Sequence, residues 1–126
     1  MTMSHRRPTV LLRHTLPDGS HHFDWLLARD ADGPLLTFRL QTDISSDGGR
    51  FEGLLLPDHR RAYLEYEGPI SRNRGHVIRV AQGACEVISE SPDQIEIWAK
   101  LGVRRGFLRG SCRPGDWFLF EPVENC

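Results

Sequence analysis

Ile95-Glu96-Ile97-Trp98-Ala99-Lys100-Leu101 alternates along its length, with Ile95, Ile97, Ala99 and Leu101 on one face. That period of two belongs to a strand with one face buried. Outward from it, short apolar runs recur between turn signals. Strands are expected at Thr9 to His14, His22 to Ala28, Leu35 to Gln41, Tyr63 to Glu67, His76 to Gln82, Cys85 to Ser89 and Trp117 to Pro122. Pro17-Asp18-Gly19, Asp30-Ala31-Asp32-Gly33, Gln82-Gly83, Pro92-Asp93 and Pro114-Gly115-Asp116 supply the connections, and Asp43 to Arg50 reads as a polar loop. Nothing sustains a helical period; Pro57 to Ala62 has room for one turn, with Pro57 as its start. Many short, evenly spaced strands predict a mostly β domain, a sandwich or a small barrel. The expectation is one domain over 1–126, with flexible tails at 1–8 and 123–126.

The formal net charge is −1, so no bulk basic field draws the chain to nucleic acid, although a local Arg cluster would still hold a phosphate. Positive charge is carried almost wholly by Arg, with Lys100 the only lysine. The Arg fork grips phosphate through two hydrogen bonds, and genomic base composition accounts for the bias equally well. Cys85, Cys112 and Cys126 lack metal-ligand or CxxC spacing, which favours incidental thiols in a reducing compartment. The start, Met1 to Pro8, is polar, and no apolar run approaches the ~20 residues that span a bilayer. A soluble, cytoplasmic, monomeric protein is expected.

His22-Phe23-Asp24 is the sharpest local feature. On a strand the imidazole and carboxylate emerge side by side, a two-ligand platform for Mn²⁺ or Zn²⁺. Alone, the pair reads at least as well as an ordinary hydrogen-bonded His–Asp couple. His14 closes the preceding strand and would approach His22 if the two strands pair. His59, in Pro57-Asp58-His59-Arg60-Arg61, looks like a residue of a charged surface turn. Composition and periodicity do not assemble these residues into one site.

A family resemblance, carried by four ordered motifs, does. Val10-Leu11-Leu12-Arg13-His14 is followed by His22-Phe23-Asp24-Trp25, then Asp58-His59 with Tyr63, then Tyr66-Glu67-Gly68. This series resembles the 3′-phosphoesterase domain of bacterial DNA ligase D, with two extra residues between His14 and His22. The likeness runs from about residue 9 to 122 in order of elements and is specific from 10 to 76. It implies a small closed or partly closed barrel, antiparallel or mixed, with at most short helical turns. A divalent ion is implied in its mouth, manganese first and zinc or cobalt as alternatives. The implied activity trims 3′ ends of DNA or of RNA-primed DNA, removing a nucleoside and then a 3′-phosphate. His14, His22 and Asp24 would be metal ligands, His59 a catalytic residue beside the reacting phosphate, and Tyr63 a phosphate contact. Implied partners are a nucleic-acid 3′ end and a separately encoded polymerase or ligase.

The pattern departs where the family holds its substrate. Leu26 stands in place of an Arg, Leu12 in place of a Gln, and Gln41-Thr42-Asp43 in place of Pro-Lys-Gly; the Gly-rich stretch after Glu67-Gly68 becomes Pro69 to His76. Loss of a charged partner costs roughly 1.5–3 kcal/mol per hydrogen bond. Arg39, Arg50, Arg72 and Arg74 are the candidate replacements for phosphate binding, each of which otherwise reads as a solvated charge. Three readings follow. The first is an active phosphoesterase with re-sited arginines, the second a non-catalytic barrel that binds nucleic-acid ends or a repair partner, and the third a metallohydrolase of another phosphoester.

Overall fold

The computed structural model describes residues 6–124. Its strands are β1 (Arg7–Thr15), β2 (His21–Ala28), β3 (Leu35–Leu40), β4 (Phe51–His59), β5 (Gly68–Pro69), β6 (His76–Glu90), β7 (Gln94–Leu101), β8 (Arg104–Arg113) and β9 (Trp117–Val123). They form one antiparallel sheet in the order β1-β2-β3-β4-β9-β8-β7-β6-β5, and β1 also pairs with β6. That pairing closes eight strands into a barrel, with β5 as an extra strand on the free edge of β6. Two lone 3₁₀ turns, Arg61–Leu64 and Pro114–Asp116, are the helical elements among the described residues.

An eight-stranded barrel leaves an interior that side chains can fill. Trp25, Phe38, Phe51 and Phe120 stack there with Leu11, Leu27, Ile97 and Leu101. Trp25 Nε1 donates to Thr9 Oγ1 at 2.9 Å, and Thr9 donates to the Leu26 carbonyl at 2.7 Å, so these two interior side chains are paired. A second apolar cluster lies outside the wall. Val10, Leu12, Leu26, Ala28, Leu35 and Val77 form its floor, covered by Tyr63, Leu64 and Ile70. Because both faces of β1 and β2 are buried, these strands read as continuous apolar runs.

Several expectations need correction. Tyr63 to Glu67 is not a strand: Tyr63 and Leu64 belong to a 3₁₀ turn, and the chain between 60 and 75 folds back over the outer cluster. The helical turn begins at Arg61, not at Pro57, which lies in β4. Gln82-Gly83 is no turn, because β6 runs through it. A Cβ on Gly83 would sit 1.8 Å from the Lys100 carbonyl oxygen, so glycine is there for a close strand approach. Strands β4 and β8 were not expected at all. Arg7 and Pro8 pair within β1, and Val123 within β9, rather than lying in frayed tails. Residues 1–5 and 125–126 of those expected tails, Cys126 among them, lie outside the described residues. None of the described helical turns is long and apolar enough to cross a membrane.

Candidate metal centre

Register builds the site. In the β1–β2 ladder His14 faces His22 and Leu12 faces Asp24, while in the β2–β3 ladder Asp24 faces Arg39. Directly opposed residues share a face. His14, His22, Asp24 and Arg39 therefore project together, on the side of the outer cluster and away from the aromatic interior. The centre lies on the outer wall of the barrel, not in its mouth.

His14 Nδ1 and His22 Nε2 are 3.1 Å apart. His22 Nε2 lies 3.5 Å from Asp24 Oδ1, and His14 Nδ1 lies 3.9 Å from Asp24 Oδ2. One ligand atom from each of the three residues falls within 4.8 Å of the others. Two ligand nitrogens about 2.1 Å from one ion stand about 3.0 Å apart at a right angle and about 3.4 Å apart in a tetrahedron. The imidazole spacing suits either geometry.

Three further observations fit a cation. Asp24 is 4% exposed, yet its Oδ1 is buried without a hydrogen bond. Buried polar atoms are nearly always paired, so an orphaned carboxylate oxygen marks a missing partner. His14 Nε2 is 2.7 Å from the Arg74 carbonyl oxygen. A carbonyl only accepts, so Nε2 carries the proton and the Nδ1 lone pair faces the cluster. Ligating histidines are commonly oriented by such an outer hydrogen bond. Burial pushes the His22 imidazole below its usual range, with Arg39 and the other histidines adding to the effect against the opposing Asp24 charge. His22 is thus neutral near pH 7, as a ligand must be.

Beside the trio runs a cleft of about 530 Å³ lined by His14, Asp24, Arg39, His59, Tyr63 and Arg74, with Leu12, Ile70 and Val77 as its apolar wall. His59 Nδ1 lies 3.1 Å from the Pro57 carbonyl oxygen, to which it donates, leaving Nε2 free. The His59 and Tyr63 rings stand 5.8 Å apart. Arg39 Nε is 4.0 Å from Asp24 Oδ1 and makes no hydrogen bond, although the side chain is 42% exposed. Its guanidinium has donors to spare at the cleft.

Arg50 and Arg72 do not join this site. Arg50 lines a separate surface depression with Gln41, Thr42 and Trp117. Arg72, with Asn73, takes a left-handed conformation (φ 63° and 54°) in the exposed turn before β6. Arg74 does line the cleft, but its guanidinium is tied to Ser71 at 2.9 and 3.1 Å. Its backbone carbonyl is the part that touches the centre. That contact spans 60 positions and leaves no local sequence signal. Leu26 and Leu12 are 0% and 2% exposed in the outer floor; Leu26 lies outside the cleft lining, and Leu12 offers the cleft only an apolar wall. No protein-family model and no curated protein matches the chain.

Proposed function

We propose that this protein is a metal-dependent phosphoesterase acting on the 3′ ends of DNA or of RNA-primed DNA, removing a 3′-phosphate or a terminal ribonucleoside. The observation that carries the reading is the convergence of His14, His22 and Asp24 beside a cleft bearing Arg39, His59 and Tyr63. The trio would hold the ion, manganese first, with zinc or cobalt as alternatives. When bound, such an ion neutralises phosphate charge and lowers the pKa of a bound water.

The chain's own residues supply the rest. Arg39 keeps its buried Nε on the Asp24 side, and its 42% exposed side chain leaves the outer guanidinium nitrogens for a phosphate oxygen, the role that Leu26 and Thr42 cannot fill. His59 has Nδ1–H committed to Pro57, so Nε2 is the atom that takes a proton from the attacking water and passes it to the leaving oxygen. Tyr63 closes the cleft over the apolar floor and turns its ring toward His59. A second reading, a metallohydrolase of a smaller phosphoester, is favoured by one feature. The cleft has a Leu12–Ile70–Val77 wall where a longer phosphate clamp would be expected.

The deciding experiment is turnover with added Mn²⁺ on a primer-template carrying a 3′-phosphate or a 3′-ribonucleotide, against a His22→Ala control. Metal-dependent trimming that the control loses is the expected result. No turnover on either end, with metal bound, would exclude the 3′-end substrate and leave the second reading.

A further inference from the structure

At the rim of the barrel, one residue past β2, Arg29 makes two ionic forks. Its Nε and Nη2 donate to Glu90 at 2.6 and 3.0 Å, and its Nη1 and Nη2 donate to Asp58 at 2.9 and 3.2 Å. Glu90 ends β6 and Asp58 is the penultimate residue of β4. These two strands are not neighbours in the sheet, so Arg29 joins three separate strand ends. Paired forks of this kind fix orientation as well as charge.

Between the anchors, β4 carries an irregularity. Thr37 pairs with Leu56 but Leu35 pairs with His59, so three steps on β4 oppose two on β3. The extra residue falls at Pro57-Asp58. Leu35 lies in the outer cluster and Leu36 in the interior, which fixes the faces. In a regular ladder Asp58 would oppose Leu35 and face outward. The bulge gives that place to His59, and Asp58 turns to the Arg29 fork. Bulges beside functional sites commonly re-aim a side chain in this way.

We propose that Arg29 is a positioning residue: by holding Asp58 against Glu90 it locks the β4 bulge in the register that presents His59 to the cleft. The functional meaning of this lock rests on the phosphoesterase reading, whereas the register itself does not. The test is NMR on the full chain as wild type, Arg29→Met and Arg29→Lys. Lys keeps the charge but cannot form two forks, and it stands in if the Met variant does not fold. In the wild type a backbone NOE should link Leu35 to His59, with the His59 proton on Nδ1. In the variants that NOE should weaken, a Leu35–Asp58 NOE should appear, and the fixed His59 tautomer should be lost. Mn²⁺ affinity should stay unchanged, because the trio lies on β1 and β2.

Wild-type register and tautomer in a variant that merely melts earlier would overturn the proposal and reduce Arg29 to a stabilising ion pair. Absence of the Leu35–His59 NOE in the wild type would overturn it as well. Failure of the turnover assay would leave these readouts untouched, so the two readings fail separately.

Discussion

Asp24 holds a buried carboxylate oxygen without a hydrogen bond between two imidazoles and a guanidinium. An unpaired buried polar group costs about 1–3 kcal/mol. Asp24→Asn should therefore raise metal-free stability by about 1 kcal/mol while abolishing the rise in melting temperature that Mn²⁺ gives the wild type. Parallel melts with and without Mn²⁺ check both. Leu26 makes the opposite case. It is fully buried beneath Tyr63, Leu64 and Ile70. Leu26→Arg, which restores the cation expected from the resemblance, should destabilise the fold by about 3 kcal/mol or more in urea titration and restore no phosphate contact. At this scale the sequence made His14, His22 and Asp24 visible as candidates, because strand alternation and a short turn bring them together. It could not show that the Arg74 carbonyl sets the His14 tautomer. Nor could it show which arginines reach the cleft, since those contacts depend on how the 60–75 segment folds back.

Among the elements, β7 and the first three strands were legible because their apolar residues alternate or run together between turns. Strands β4 and β8 were not, and their glycines explain why. A Cβ on Gly53 would lie 2.9 Å from Leu40 Cδ2, and one on Gly110 would lie 2.6 Å from Phe120 Cε1. Both positions are empty so that larger side chains from neighbouring strands can fill the barrel, and pattern reading takes such glycines for breakers. Gly110→Ala should overpack Phe120 and lower stability by about 2 kcal/mol, measured by denaturant unfolding. The 43–50 loop was legible as irregular, but not as anchored. Ile44 is buried in the interior, and Arg104 donates to the Ile44 and Gly49 carbonyls at 2.9 and 3.0 Å from a buried position. Arg104→Ala removes both bonds and strands the carbonyls, which should cost about 3 kcal/mol by the same measurement.

For the whole molecule, closure through β1 and β6 separates two environments. The aromatic interior is a packed core, and the candidate metal trio sits outside the wall, beside the folded-back segment. The cysteines report on this division. Cys85 is fully buried and burial pushes its thiol up to about 12, so it is inert until the barrel opens, while Cys112 is exposed. A Cys112→Ser/Cys126→Ser variant should react with a thiol reagent at pH 8 only when unfolded, which kinetic labelling in denaturant will show.

His14, His22 and Asp24 are proposed to hold one divalent ion on the outer wall. Calorimetric titration of Mn²⁺ into the wild type and into His14→Ala, His22→Ala and Asp24→Ala tests it most directly. One equivalent bound by the wild type and none by any variant, all still folded by circular dichroism, is the predicted result. Stoichiometric binding retained by all three variants would contradict it.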